Sequence, residues 1–231
     1  MALSKNIELI RERINKAAIK ANRDSKDIKL LTVTKTRSIE TIEEALSYNI
    51  EFIGENKVQE AEDKIPFLKG KFKEFHFIGH LQSNKINKLM KLKPTLIHSI
   101  DKYSTAEKLN NFLKQHSMTQ DVLIEVNTSN EESKFGATPN EVIRLIKSIS
   151  QLENIKIKGL MTVGEFVADE TVIRKCFIKL RELFNEIKTA EILNVEMKFL
   201  SMGMTNDFEI AIEEGANIIR IGTAIFGARN Y

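Results

Sequence analysis

The chain has 231 residues, 42% of them hydrophobic and 29% charged. That is enough apolar material for one large core or two small ones at roughly 100–200 residues per domain, and too much for a disordered polymer. Lys and Arg number 35 against 32 Asp and Glu, a formal charge of +3, which is too even for charge-driven binding to nucleic acid or a membrane surface. The single cysteine, Cys176, excludes an internal disulfide and any zinc site built on several thiolates.

No apolar run approaches the ~18 residues of a spanning helix. The N-terminus lacks a signal-peptide core and carries Glu8 and Glu12, unlike an acid-poor transit peptide. A soluble cytoplasmic protein is expected.

In chain order, Leu3, Ile7, Ile10, Ile14 and Ala17/Ala18 recur at helical spacing. A strand follows over 28–35, then a helix that Ser38 can cap, with Ile39, Ile42 and Leu46 on one face. The second strand is 51–55 with a helix closed by Gly70. The third is 75–79, with Ser83 as cap of the next helix. The fourth is 96–101, followed by a capping box of Ser104 and Glu107. The fifth is 121–127, and Thr138-Pro139-Asn140-Glu141 reads as N-cap, N1 proline and N3 glutamate. The sixth is 155–163, before a long helix holding Cys176, Phe177, Leu180 and Phe184. The seventh is 195–203, with Thr205 as helix cap and Gly215 as stop, and the eighth is 217–222.

Eight strand–helix units of this length predict an α/β fold, a single (β/α)8 TIM barrel with an extra N-terminal helix, occupying 1–231 as one domain. A doubly wound open sheet is the competitor, but the first strand is not followed by GxGxxG.

Barrel chemistry sits at the C-terminal strand ends. Those ends carry Lys35, Glu55-Asn56, His80, Asp101, Asn127, Thr162, Ser201-Met202-Gly203 and Arg220 with Gly222-Thr223. An amine at the rim of an apolar barrel is partly desolvated, which favours a neutral nucleophile able to capture aldehydes. A lysine carrying its charge out to solvent fits the same position. Gly203 and Gly222 end the seventh and eighth strands, where barrels commonly bind phosphate through main-chain N–H groups; Thr223, Ser201 and Thr205 add donors. Tight turns and caps are the plainer reading. Arg220 shares a strand face with Gly222, and inside the lumen it needs an acceptor, either a ligand or a structural acid. His76 and His80 have H-x3-H spacing without a third ligand. Asn127, Ser133 and Lys134 lie in a long polar loop over 127–136, and Cys176 reads as a packing residue. The basic runs 69–73 and 85–93 read as solvated faces.

At these residues the chain resembles the pyridoxal-phosphate homeostasis proteins, single-domain relatives of the alanine racemase barrel. The resemblance runs nearly end to end: TVTKT (32–36), FIGENKVQE (52–60), HFIGHLQSNK (76–85), IHSID (97–101), SKFG (133–136), GLMTV (159–163), LSMGMTNDFEIAI (200–212) and IRIGTAIFG (219–227). Thr34 and Thr205 stand where serine is usual; both keep the hydroxyl. The resemblance implies a fold-type III site holding pyridoxal 5′-phosphate (PLP) as a Schiff base on Lys35. It implies phosphate binding by Ser201, Gly222 and Thr223, with Met202 and Gly203 beside them, Asn56 flanking the ring, and Arg220 facing the pyridine nitrogen. A non-catalytic carrier acting in vitamin B6 homeostasis is the expectation, a cytoplasmic monomer whose partners are PLP and apoenzymes that require it. An amino-acid racemase-like enzyme and a Schiff-base aldolase are the alternatives. The tyrosines are Tyr48, Tyr103 and Tyr231, and none stands out as a second acid–base group opposite Lys35.

Overall fold

The computed structural model describes residues 2–129, 131, 134–164, 167 and 169–228. Ser133 and Tyr231, both singled out from the sequence, lie outside them. Strands β1 (Lys29–Val33), β2 (Phe52–Glu55), β3 (Glu74–Phe77), β4 (Leu96–Ile100), β5 (Gln120–Glu125), β6 (Ile155–Met161), β7 (Val195–Ser201) and β8 (Ile218–Ile221) pair in chain order, all parallel, and β8 closes on β1. The open sheet is thereby excluded, since Leu31 is in register with Phe52 on one side and Arg220 on the other.

Between the strands run α2 (Ile39–Ser47), α3 (Val58–Leu68), α4 (Ile86–Lys91), α5 (Tyr103–Gln115), α6 (Val142–Ile149), α7 (Glu170–Thr189) and α8 (Phe208–Glu213), and β8 leads into the short α9 (Thr223–Phe226). The leading helix α1 (Ala2–Lys20) buries all six of its periodic apolar residues. It lies against α8 and α9, pinned by Arg13 on Glu209 at 2.6 Å and by Asn6 Nδ2 on the Ile225 carbonyl at 2.9 Å.

Strand alternation sorts the core into two parts. Outward residues such as Ile53, Phe75, Phe77 and Ile97 pack under the helices. Inward residues Leu31, Leu96, Leu123, Met161 and Ile218 fill the lumen, joined by Phe52, Ile78 and Phe199. Each such burial contributes about 2 kcal/mol. The lumen is not wholly apolar: His76, His98, Ser201 and Arg220 are buried too.

Several caps differ from expectation. Ser38 does cap α2, accepting from the Thr41 N–H at 3.3 Å. In contrast, α5 begins at Tyr103, so Ser104 lies within the helix and makes no capping box. Thr138 starts the turn into α6, its carbonyl accepting from Val142 N–H at 3.0 Å. Its hydroxyl donates to the Glu141 carboxylate at 2.6 Å rather than accepting from a main-chain N–H. Ser83 opens a short 3-10 turn before α4. Thr205 does not cap α8, whose N-cap residue is Asp207; its hydroxyl instead accepts from Ala224 N–H at 3.4 Å. Gly215 ends α8 at φ +100°, as a C-terminal glycine should.

Candidate functional site

Lys35 stands two residues beyond the end of β1, half-buried in a turn. Its neighbours are clamped on both sides. Thr34 is buried; its hydroxyl donates to Glu55 Oε1 at 2.6 Å and its carbonyl accepts from Lys64 Nζ at 3.0 Å. Thr36 takes a left-handed φ of +62° and donates its N–H to Glu60 Oε2 at 2.7 Å. Lys64, on α3, also bonds Glu55 Oε1 at 3.0 Å and Glu60 Oε2 at 2.9 Å. One buried ammonium therefore ties both acids to the turn that presents Lys35. Burial pushes the Glu55 carboxyl up, with Thr34 and Lys64 pulling it back.

Arg220 lies across the seam between β8 and β1. It is 5% exposed, and among the described residues no carboxylate lies within ion-pair distance of it. Nη1 donates to Ser201 Oγ and Nη2 to the Thr162 carbonyl, each at 2.8 Å. Burial pulls the guanidinium down to about 10, and the charges of Asp207 and Glu125 act in the opposite direction. It stays cationic at neutral pH, with three of its five N–H donors unaccounted for by those two bonds. A buried cation placed this way needs a ligand acceptor or a costly reorganisation.

The loops beside Arg220 are tightly drawn together. Arg220 N–H donates to the Gly203 carbonyl at 2.9 Å, and Ala224 N–H reaches Thr205. Gly203 has φ +92°, and a Cβ there would lie 2.6 Å from Ala211 Cβ. Gly222 has an ordinary negative φ; a Cβ there would sit 3.2 Å from the Val33 carbonyl oxygen. The chain at Gly222 thus runs close against the end of the strand that leads to Lys35. Thr223 opens α9 on its solvent side.

The remaining predicted residues divide. Asn56 follows β2, with its buried Oδ1 lacking a partner and its main chain packed under Gly79, where a Cβ would fall 1.9 Å from the Asn56 carbonyl oxygen. Met202 is fully buried among the helices, so it offers the mouth only its main chain. Ser201 points into the lumen, where its hydroxyl serves Arg220 and His98. Asn127 organises its loop, accepting from Ser129 N–H and Oγ and donating to the Glu131 carbonyl at 3.0 Å. Lys134 pairs with Glu131 and donates to the Gly164 carbonyl. His76 and His80 do not meet: His76 bonds His98, and His80 stacks on Phe135 with centroids 4.0 Å apart. Among the described residues there is no cluster of metal-ligating side chains. Cys176 is buried on α7.

Two groups escaped sequence reasoning. Glu125, ending β5, is buried; burial and the nearby Asp101 charge push its carboxyl to about 7. His98 lies in the lumen between His76 and Ser201. Strand parity marks both as inward, but it does not say which neighbour they meet.

The family model of the alanine racemase N-terminal domain matches residues 2–230. The chain is 42% identical over 231 residues to a pyridoxal phosphate homeostasis protein of Aquifex aeolicus, covering all of both chains. A crystal structure of a protein from Bifidobacterium adolescentis superposes with a TM-score of 0.93 at 38% identity, covering 97% of this chain and 94% of that one. PipY of Synechococcus elongatus, solved with PLP bound, superposes at 0.82 with 29% identity, covering 94% of this chain and all of that one. With its closed barrel, leading helix and full-length relatives, this chain belongs to the pyridoxal phosphate homeostasis protein family, within the alanine racemase N-terminal domain fold.

Proposed function

We propose that this protein binds PLP at the barrel mouth through Lys35 and holds and releases it without turnover, as part of vitamin B6 homeostasis. The observation that carries this reading is Arg220: a buried cation at the mouth, without an ion-pair partner among the described residues, beside a glycine that lets main chain approach closely. The site's chemistry fits an anionic ligand that also bears an acceptor. Asn56 Oδ1, buried and unpartnered, is a further polar atom awaiting a ligand.

When bound, the cofactor supplies an aldehyde that an amine captures reversibly and a ring that withdraws electrons. Lys35 would provide the amine, set in place by the Lys64–Glu55 clamp. Gly222 and Thr223 would take the phosphate on main-chain N–H groups and a hydroxyl, with Gly203 and the Met202 main chain shaping the adjoining loop. Ser201 would join them by turning its hydroxyl proton from His98. Asn56 would flank the ring, and Arg220 would face its nitrogen. A guanidinium there keeps that nitrogen unprotonated and weakens the ring as an electron sink. The tyrosines offer little: Tyr48 caps the C-terminus of α2, away from the mouth, and Tyr103 is 40% exposed at the start of α5.

The protein would act as one cofactor-binding domain over 1–231, a cytoplasmic monomer that passes PLP to apoenzymes needing it. Among the described residues no helix is long and apolar enough to cross a membrane. One observation favours a second reading, a racemase-like enzyme: Glu125 holds a proton near neutral pH at the same end of the barrel.

Reconstitution followed by absorbance spectroscopy tests binding: a bound-cofactor band is expected in the wild type and lost in Lys35→Ala. Incubation of the loaded protein with amino acids in deuterated water tests turnover. Exchange at the α-carbon at an enzymatic rate, abolished by Glu125→Gln, would replace the carrier with the enzyme.

A further inference from the structure

A line of polar side chains crosses the barrel interior. At the N-terminal mouth Lys29 Nζ donates to both oxygens of Glu74, at 2.6 and 2.7 Å. Glu74 Oε2 meets His76 Nε2 at 2.8 Å, His76 Nδ1 meets His98 Nε2 at 2.9 Å, and His98 Nδ1 meets Ser201 Oγ at 3.0 Å. Ser201 Oγ then accepts from Arg220 Nη1 at 2.8 Å. His76, His98 and Ser201 are each 1% exposed or less. Such a line through a lumen otherwise filled by Leu, Met and Phe costs desolvation at every member, so its retention calls for a task.

The direction of each bond follows from the chemistry of the ends. The His76 hydrogen bond and Lys29 hold Glu74 down at about 2, so it is ionised and only accepts. His76 therefore donates from Nε2. Burial pulls both imidazoles down, His98 the more, so each is neutral at pH 7 and carries one proton. His76 Nδ1 is then an acceptor, His98 donates to it from Nε2, and Ser201 donates to His98 Nδ1. The serine lone pairs are left for Arg220. Every proton points toward Glu74.

We propose that Glu74, His76, His98 and Ser201 form a one-way hydrogen-bond chain that fixes the Arg220 guanidinium for the cofactor ring, which makes His98 a positioning residue for PLP. This rests on the PLP reading above. It also assigns Ser201: with its proton on His98 and a lone pair on Arg220, the side chain is a support for the arginine, and the phosphate falls to the loop at 222–223.

The test uses the full-length protein with three substitutions. His98→Leu keeps volume but removes donor and acceptor; His98→Gln keeps one of each; Glu74→Gln keeps the acceptor but removes the charge at the far mouth. After reconstitution with PLP, His98→Leu is expected to shift the bound-cofactor absorbance and release PLP about tenfold faster, the size of one lost charge-assisted bond. His98→Gln should stay within about twofold of the wild type, a rescue that a purely structural role would not require. Glu74→Gln should release PLP about threefold faster. A folded His98→Leu with wild-type spectrum and release rate overturns the proposal. Should that variant not fold, an unchanged Glu74→Gln overturns it. Nitrogen-15 NMR of the imidazoles in the protein without added PLP decides the chain separately: both protons are expected on Nε2, and protons on Nδ1 would break it. Failure of the wild type to take up PLP removes the functional reading while leaving that NMR result standing.

Discussion

Lys64 Nζ donates to the Thr34 carbonyl at 3.0 Å, so a helix residue far along the chain holds the backbone next to Lys35. The same ammonium neutralises Glu55, whose side chain is fully buried. Lys64→Met leaves that acid buried and unpaired, and should cost about 3 kcal/mol in urea unfolding. Lys64→Met combined with Glu55→Gln should recover most of this, since no charge is then stranded. Both variants should hold PLP more weakly, because the turn at 34–36 loses its anchor.

The two glycines of the site should separate fold from ligand. Gly203→Ala meets φ +92° and Ala211 Cβ at 2.6 Å, so it should lower stability by about 1–3 kcal/mol. Gly222→Ala has no such φ, and its nearest contact would be 3.2 Å. It should keep a melting temperature near wild type and lose PLP affinity. Paired thermal melts and binding titrations check this; the reverse ranking would contradict the assignment of Gly222 to the phosphate.

Two acids should shape stability against pH with opposite sign. Glu74 has its folded pKa depressed to about 2. Its contribution is complete above the unfolded value near 4.5 and fades as pH falls toward 2, by about 1–2 kcal/mol once solvent screening at the open mouth is allowed for. Glu125 is raised to about 7. The folded protein keeps that proton where the unfolded chain has shed it, so a penalty builds between pH 4.5 and 7 and is full above 7, about 3 kcal/mol. Glu125→Gln should therefore stabilise the ligand-free protein at pH 8 and barely change it at pH 4. Urea titrations across pH measure both.

The architecture was readable because alternating apolar runs and helical spacing recur with little interruption, and eight such units leave few alternatives to a closed barrel. Lys35, Arg220 and the glycines at 203 and 222 were readable because strand ends face one mouth. What escaped is relational. Side-chain parity places His76 and His98 inward, but only the adjacency of β3 and β4 brings their rings to 2.9 Å. Ser201 looked like a phosphate donor because hydroxyls suit anions, and nothing in its neighbours announces that Arg220 and His98 claim it. Caps failed where tertiary contacts outbid local ones: Thr205 turned to Ala224, and Thr138 to the Glu141 carboxylate.

The most direct check on the whole reading is borohydride reduction of the PLP-loaded protein followed by peptide mass spectrometry. The cofactor adduct is expected on the peptide carrying Lys35, with the other lysines unlabelled. An adduct on a different lysine, or none at all from a protein that unfolds cooperatively, would contradict the assignment of Lys35 as the residue that holds PLP.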